Sequence, residues 1–369
     1  MIAGHASVAD LVAALDRRWP LAWAFPWDRV GLAVGDPAAQ VTGVFCTLDP
    51  TRRALSAAIA SGCNVLLTHH PAVLEPLETL VPRAGMPGTP FAAAAAGVAL
   101  VNAHTNLDRA PDGADALPRA AGLSPGVPLE RGSVPVAFVV TYAPADAADA
   151  VLAAMHRAGA GRIGQYDGCG FVATGHGLFT PLRGSAPEVG VPGVPARADE
   201  VRIEVVSPRG DARAVMAAAR SAHPYEEPVV VAIDGELALG AARMGRLCEA
   251  ETGTTLGSLA RQAASRFAVT PRVWGASDLA VHLVATAPGS GRGLVGEALA
   301  GGADVMLTGE LRYHDALDAL ASGLAVIECG HDATEWPYVP LLAELARSIE
   351  GVDPSTVADE MPVIEWWTP

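Results

Sequence analysis

The chain has 369 residues, of which 50% are hydrophobic and 18% charged, and its formal net charge is −15. This length and apolar content predict more than one packed core, so two or three domains are expected. Phosphate binding requires clustered cations, whereas the arginines of this acidic chain are scattered. We therefore expect no nucleic-acid partner.

The amino-terminal segment predicts an amphipathic helix rather than a targeting signal. Ser7 is the predicted N-cap, and Val8, Leu11 and Leu15 fall on one helical face. A signal peptide would need a basic region and a continuous apolar region. The longest apolar run, residues 91–101, is shorter than the about 20 residues that span a bilayer. The five dispersed cysteines form no C-x-x-C pair, so we expect a cytoplasmic protein without a membrane segment.

Two segments of the first half recur in the second half in the same order. Residues 57–70 and 297–310 both indicate the end of a helix, a glycine turn, a buried strand and a polar terminus. Residues 97–108 and 323–335 share a glycine turn, a buried strand and a His-x-x-x-carboxylate motif. This repeat predicts an α/β fold in which two pseudo-repeated α/β domains form the core. Their polar residues are expected at the carboxyl ends of the strands.

The sequence between the two halves has a different texture. Residues 126–238 indicate two consecutive strand-helix-strand units, which favour an inserted ferredoxin-like α+β domain. We therefore predict three segments: residues 1–125 and 239–369 form the core, and residues 126–238 form the insert. His176 and His223 lie in predicted loops of this insert, where packing or a contact with another subunit is favoured over metal binding.

Histidines and carboxylates collect at the ends of the predicted buried strands. One such histidine alone would more readily be a core or capping residue, but here four histidines and two carboxylates occupy strand ends of a repeated unit. Imidazole and carboxylate without nearby cysteine are ligands for Zn, Fe or Mn rather than for a thiolate-rich structural zinc. Six donors exceed the need of one catalytic zinc and suit two ions that share a bridging carboxylate. The six are His69, His70, His104, Asp108, His331 and Glu335.

The adjacent pair His69 and His70 supports two ions more directly. Neighbouring side chains leave a strand in opposite directions, so the two rings are poorly placed to bind one ion together. Each ring can instead serve a different ion.

A glycine-rich turn at residues 289–293 lies between a predicted strand and a predicted helix. Backbone groups of Gly289, Ser290 and Gly291 would form either an anion-binding nest or an ordinary tight turn. The Lys-Ser/Thr pair of a P-loop is missing from this segment.

Four other polar residues are candidates for supporting roles. Glu310 and His314 take the repeat position of the histidine pair, so they either line the site or face outward. Asp28 and Asp49 are candidates to support the ligands or contact a substrate. Turn and capping roles remain the alternative for both.

The ordered motifs resemble those of the Nif-three-like family, the dinuclear-metal-centre hexameric proteins often labelled GTP cyclohydrolase I type 2 homologues. The core motifs are WDRVGLAVG, TLDPT, LLTHHP, AHTNLD, the GSG turn, ADVMLTGE with YH, and GHDATE. The segments GAGRIGQYDGCGF, GHGLFTP and HPYEEP resemble the PII- or CutA-like insert of the longer bacterial members. The resemblance spans nearly the whole chain.

This resemblance implies a toroidal homohexamer with two divalent metal ions per subunit, facing an inner cavity. It implies one ion held by His70, Asp108 and Glu335, and a second held by His69, His331 and the same Glu335. His104 would be a nearby ligand or support a ligand.

Two hypotheses about function follow. The first is a metal-dependent hydrolase of the GTP cyclohydrolase I type 2 kind, acting on a small molecule such as a nucleotide or phosphate ester. His104 or Glu310 would then be the catalytic general base. The alternative is a non-catalytic metal-binding hexamer in regulation or metal homeostasis. Turnover by metal-loaded protein separates the two.

Overall fold

The structure is a computed structural model, and it describes residues 6–164, 166–238 and 240–359. The chain is mixed α/β with three sheets. Its described residues form two compact units, which divide at residues 131/132 and 239/240. Within the described ranges, none of the helices combines the length and apolar character needed to cross a bilayer.

The elements follow in chain order. Up to residue 128 they are α1 Val8–Arg18, β1 Gly31–Val34, β2 Val44–Thr47, α2 Arg52–Ala60, β3 Val65–Thr68, α3 Thr89–Ala96, β4 Ala99–Asn102, α4 Thr105–Asp108, α5 Pro111–Ala114, α6 Ala116–Ala121 and β5 Val127–Pro128. The middle unit contains β6 Ser133–Pro144, α7 Ala148–Arg157, β7 Phe171–Phe179, β8 Ala196–Pro208, α8 Ala212–Ala222 and β9 Val230–Ala238. The remaining elements are β10 Arg246–Glu249, α9 Leu256–Phe267, β11 Arg272–Trp274, β12 Leu283–Ser290, α10 Val295–Ala300, β13 Val305–Glu310, α11 Tyr313–Ala321, β14 Ala325–Glu328, α12 His331–Glu335, α13 Tyr338–Arg347 and β15 Val357–Asp359.

Helix α1 begins where the sequence predicts it. Ser7 accepts a hydrogen bond from the backbone N–H of Asp10, and the Asp10 carboxylate accepts one from the backbone of Ser7. This reciprocal pair satisfies two of the donors that a helix start leaves free. Val8, Leu11 and Leu15 are completely buried, which confirms the predicted apolar face.

The first sheet has strand order β1-β4-β3-β2-β15, in which only β1 is antiparallel to its neighbour. Every residue of β2, β3 and β4 is buried, because helices cover both faces. Leu67 packs in the core that contains α1 and α13, whereas Leu66 packs against α2 and α3. Burial on both faces explains why these strands read as continuous apolar runs.

The second sheet has strand order β11-β14-β13-β12-β10-β5. Its strands β12, β13 and β14 are parallel, and the flanking strand β11 is antiparallel to β14. The carboxyl ends of adjacent parallel strands, four in the first sheet and three in the second, thus meet at one edge of each sheet, where open α/β sheets place their sites.

Asn64 and Asp304, paired in the predicted repeat, make similar contacts. The Asn64 side-chain carbonyl accepts a hydrogen bond of 2.8 Å from the backbone N–H of Thr42. The Asp304 carboxylate accepts bonds of 2.7 and 2.9 Å from the backbone N–H groups of His282 and Leu283. Both residues therefore hold the chain near the start of the neighbouring parallel strand.

The middle unit is a four-stranded antiparallel sheet of order β7-β8-β6-β9. Helices α7 and α8 pack on one of its faces. His176 lies within strand β7 rather than in the predicted loop. His223 follows α8 and is buried, with Nε2 2.7 Å from the carbonyl oxygen of Tyr142, so it packs as the sequence predicts.

Candidate metal centre

The predicted metal donors meet at the carboxyl ends of β3, β4 and β14. His69 and His70 follow β3 directly, His104 precedes α4, and His331 begins α12 after β14. Asp108 and Glu335 lie four residues after a histidine on these two short helices. Within three sets, one ligand atom from each residue lies within 4.8 Å of the others. The sets are His69, His70 and His104; His70, His331 and Glu335; and His69, Asp108 and Glu335.

Each of the four histidines is held by one ring nitrogen. The contacts from Nδ1 are His69 to the Ala103 carbonyl at 2.9 Å, His70 to Asp49 at 2.7 Å, His104 to Asp28 at 2.9 Å and His331 to Glu310 at 2.8 Å. Engagement of Nδ1 fixes the ring and leaves Nε2 for an ion. Metal-ligating histidines are typically held in this way, by a carboxylate or a backbone carbonyl.

Asp28 shows how this support is built into the fold. Its side chain is fully buried and accepts hydrogen bonds from the backbone and the hydroxyl of Thr105, the first residue of α4. The carboxylate therefore fixes both the His104 ring and the start of the helix that carries Asp108. This contact makes Asp28 a support for a candidate ligand.

Three buried donor atoms at the centre have no hydrogen-bond partner among the described residues. They are Nε2 of His69, Oδ1 of Asp108 and Oε2 of Glu335. His69 Nε2 lies 3.5 Å from Asp108 Oδ1, and Glu335 Oε2 lies 2.9 Å from His70 Nε2 and 3.1 Å from His331 Nε2. These contacts are close but are not aligned as hydrogen bonds. Orphaned buried polar atoms are costly, and cations among them would satisfy all three, so the residues present fit a metal.

The two buried carboxylates have pKa values shifted in opposite directions. Burial, followed by the negative charge of Glu335, raises the pKa of Asp108 to about 7. Burial alone would also raise the pKa of Glu335, but its contacts with His331 and His70 hold that pKa well below its ordinary value. Glu335 is therefore the permanent anion of the cluster.

The histidine pKa values are shifted in different directions too. Burial lowers the pKa of His69 well below its ordinary value, which keeps the ring neutral, as a ligand must be. Burial opposes protonation of His70, yet its contacts with Asp49 and Glu335 raise its pKa to about 10. The contact with Glu335 raises the pKa of His331 to about 9. In the metal-free protein, protons on these two rings therefore balance part of the negative charge.

The close sets group the donors differently from the pairing that the family resemblance implies. His69 lies with Asp108, and His70 lies with His331, whereas the resemblance places His70 with Asp108 and His69 with His331. Glu335 belongs to both sets in either arrangement. Its two oxygens approach different histidines, because Oε1 is 3.9 Å from His69 and Oε2 is 2.9 Å from His70.

The glycine-rich turn packs directly against the cluster. A Cβ at Gly289 would lie 2.0 Å from Glu335 Oε1, and one at Gly291 would lie 2.4 Å from the Thr308 hydroxyl. The backbone N–H of Gly289 donates to Thr334 at 3.1 Å, so this group is already used within the protein. Ser290 is exposed. The contacts of Gly289 favour the interpretation as a close-packed turn over that of an anion nest.

The remaining candidates differ in their distance from the centre. Glu310 contacts His331 directly, with 46% of its side chain exposed. His314 is exposed on α11, its ring contacts that of Tyr313, and it belongs to none of the three ligand sets. Tyr338 is a residue that sequence reasoning missed: it is completely buried, with its ring 4.5 Å from that of His69. The residues around Tyr338 resemble the start of an ordinary apolar helix, so the sequence carries no signal that Tyr338 lies at the centre.

Similar proteins cover almost the whole chain. A Mycobacterium tuberculosis protein named GTP cyclohydrolase 1 type 2 homolog is 34% identical over 348 residues, which are 92% of this chain and 91% of the relative. A Halalkalibacterium halodurans protein of the same name is 34% identical over 329 residues, 87% of each chain.

Solved structures agree with these relatives. A Bacillus cereus protein related to NIF3 has a TM-score of 0.62 and 29% identity, with 98% of this chain and 97% of that chain covered. A Staphylococcus aureus protein has a TM-score of 0.63 and 27% identity over the same shares. The family model of Duf34/NIF3 (NGG1p interacting factor 3) matches residues 6–357. The chain therefore belongs to the Duf34/NIF3 family.

Proposed function

We propose that the chain binds two divalent metal ions, drawn from Zn, Fe and Mn, with Glu335 as the shared ligand. The observation that carries this proposal is that His69, Asp108 and Glu335 each contain a buried donor atom without a hydrogen-bond partner, and that ligand atoms of these three residues lie within 4.8 Å of one another. The supporting carboxylates Asp49 and Glu310 add the outer contacts that metal-binding histidines need.

We infer a hydrolase acting on a small nucleotide or phosphate ester as the function of this centre. The relatives' printed name, GTP cyclohydrolase 1 type 2 homolog, supports this class. When bound, the ions would supply Lewis acidity that activates water and stabilises charge on a leaving oxygen.

The protein's own groups have separate roles in this proposal. His104 is the general base, because Asp28 holds its Nδ1 and leaves Nε2 to accept a proton. Glu310 positions His331 rather than taking the proton itself, since one of its oxygens is already bound to Nδ1 of that ring. The substrate enters beside His331, whose side chain is 42% exposed, whereas His69 is fully buried.

Metal analysis joined to a turnover screen tests the proposal. Protein purified without chelator should contain about two ions per chain, and Glu335→Gln should lose both, because the bridge is shared. The metal-loaded protein should hydrolyse at least one member of a panel of GTP, nucleotides and phosphate esters. Activity should fall in His104→Ala while the metal content is retained.

A matched control and the contrary results complete this test. Glu249→Gln, at an exposed glutamate of β10, should leave metal content and turnover unchanged. Metal content unaffected by Glu335→Gln would contradict the centre itself. Full metal content without turnover on any substrate would reject the hydrolase and leave the metal-binding regulatory alternative.

We also propose the finer organisation of the chain. Four strands of each large sheet follow a matching order, β1-β4-β3-β2 and β11-β14-β13-β12, which supports a pseudo-repeat. The order β7-β8-β6-β9 supports a ferredoxin-like insert of the PII/CutA kind. The proposed segments are residues 1–125, 126–238 and 239–369. The resemblance to the family favours a homohexamer, which light scattering of the purified protein tests: a monomeric or dimeric mass would reject it.

A further inference from the structure

The middle unit contains a cleft of about 660 Å³ that includes none of the metal-centre residues. Its floor is the row formed by Tyr142, Arg202 and Ala173, which lie opposite one another on β6, β8 and β7. Side chains alternate between the faces of a strand, and the neighbouring residue Ile203 packs with α7 and α8. The cleft therefore lies on the sheet face that the helices leave uncovered.

Glycines in β7 give this cleft its depth. Gly175 and Gly177 both line it and place no side chain on the floor. A Cβ at Gly177 would lie only 2.3 Å from Glu200 Oε2, so glycine there lets the Glu200 carboxylate lie over the strand. Tyr225 donates a hydrogen bond of 2.9 Å to the other oxygen of Glu200 and fixes its position.

The walls of the cleft combine apolar side chains with an excess of negative charge. Phe179 and Pro181 provide apolar surface. The carboxylates that line the cleft are Glu188, Glu200, Glu226 and Glu227.

The basic side chains of the cleft already have acidic partners. Among the described residues, the cleft is lined by one arginine, Arg202, and one histidine, His176. Arg202 binds Glu204 at 2.6 Å, and His176 binds Asp199 at 2.8 Å.

The pKa of Tyr225 is consistent with this excess of negative charge. Burial raises the pKa of its hydroxyl to about 12, together with the hydrogen bond and charge of Glu200 and the charge of Glu188. A ligand with negative charge would meet this field unfavourably, whereas a cation would reduce it.

We propose that this cleft binds a small organic cation, an amine or amidinium group carried on an apolar or aromatic body. Carboxylates recognise planar cations through paired charge-assisted hydrogen bonds. The apolar walls accept the body of such a ligand, and the volume is in the range of small-molecule sites, about 300–1,000 Å³. Carboxylate-rich walls disfavour nucleotides and other anions.

Three isosteric probes test the charge requirement on the full chain by isothermal titration calorimetry. Benzamidine is the cation, benzamide the neutral analogue and benzoate the anion. We expect benzamidine to bind at least about tenfold more tightly than benzamide, and benzoate not to bind. Equal binding of benzamidine and benzamide would overturn the proposal, because an apolar groove alone would then explain the site.

Charge-neutral variants locate the probe. Glu188→Gln and Glu200→Gln should each weaken benzamidine binding by about three- to tenfold. Asp149→Asn, at an exposed position of α7 outside the cleft, should leave the affinity unchanged. An unchanged affinity in the Glu188→Gln/Glu200→Gln double variant would overturn the site.

Two further outcomes also decide against the proposal. Loss of benzamidine binding in Glu335→Gln would place the probe at the metal centre. Absence of binding, together with a changed molecular mass in the double variant, would assign the cleft to contact with a second copy of the chain.

Discussion

The first and second halves of the chain each carry adjacent parallel strands in a large sheet, but they contribute differently to the candidate metal centre. The first half supplies four of the six candidate donors, and their side chains are nearly or mostly buried, with at most 19% exposed. The second half supplies His331 and Glu335, and His331 is 42% exposed. The first half therefore forms the closed wall of the centre, and the second half forms its open side.

One pair of aligned positions shows how this difference arises. In the proposed repeat, His69 aligns with Gly309, and His70 aligns with Glu310. A side chain at Gly309 would meet the Gly289 carbonyl at 2.5 Å and His331 Cα at 2.8 Å. The close approach of α12 thus excludes a donor there. The end of β3 therefore supplies candidate metal donors, whereas the end of β13 supplies only Glu310, which supports His331.

The largest expected effect comes from the closed wall. Asp108→Asn should weaken zinc binding by more than about 100-fold, because a buried charged ligand is lost and outer-shell partners alone account for 10–100-fold. The free energy of unfolding of the metal-free variant should stay equal or rise by about 1 kcal/mol, since repulsion between Asp108 and Glu335 is removed. Zinc titration and urea unfolding measure both effects.

The control for this variant is Asp318→Asn, at an exposed position of α11. A large loss of unfolding free energy in metal-free Asp108→Asn would contradict the repulsion between Asp108 and Glu335.

The supporting carboxylates allow a direct comparison of the two halves. Asp49→Asn should weaken zinc binding by about 10–100-fold, and Glu310→Gln by about tenfold or less. The difference is expected because 27% of the Asp49 side chain is exposed, against 46% for Glu310, and solvent screens the more exposed contact. Zinc affinities of the two variants test this order. A larger loss of zinc affinity in Glu310→Gln than in Asp49→Asn would contradict the assignment of the first half as the closed side and the second half as the open side.

Gly309→Ala tests the packing explanation. The added methyl group should cost about 1–3 kcal/mol of unfolding free energy by overpacking, and it should weaken zinc binding through displacement of α12. Gly296→Ala in α10 is the matched control, because a Cβ there meets no atom within 4 Å, and alanine should stabilise that helix by about 0.5–1 kcal/mol. Urea unfolding measures both variants, and equal stability of the two would reject the packing explanation.

The smallest expected effect is on pH dependence. The pKa values of His70 and His331 are raised to about 10 and 9 in the folded, metal-free protein, so their protonation favours folding. This stabilisation is fully present below the ordinary histidine pKa of about 6.5 and is lost as pH rises toward 10. Metal-free protein should therefore lose about 2–4 °C in Tm between pH 7 and pH 10 beyond any loss in zinc-loaded protein. An equal change of Tm with pH in the metal-free and zinc-loaded proteins would contradict a stabilising role of the protons on His70 and His331.

Local patterns were sufficient to predict much of the centre. A buried strand followed by His69 and His70, and a buried strand followed by His104 and Asp108, place donors at strand ends because parallel strands align their carboxyl ends. The helix start at Ser7 was equally predictable, since a capping box depends on residues three apart. These features need only short stretches of sequence.

Features that join distant segments were not predictable in this way. Tyr338 packs on His69, and its sequence neighbours resemble an ordinary apolar helix. The sequence also left open whether Asp49 and Glu310 support ligands, because their partners lie 21 residues away in both cases. The sequence likewise left open whether His314 lines the site or faces outward, and the structure places it as an exposed residue of α11.

The sequence by itself determined the family and predicted that six donors lie at strand ends, whereas the division of the chain into repeated and inserted parts stays a prediction. These depend on residue type and periodicity, which short segments carry. Only the tertiary structure decided which donors lie together, because His69 pairs with Asp108 and His70 with His331 across different strands and helices. It also decided that the glycine turn packs against Glu335, since excluded volume acts between atoms that meet only after folding.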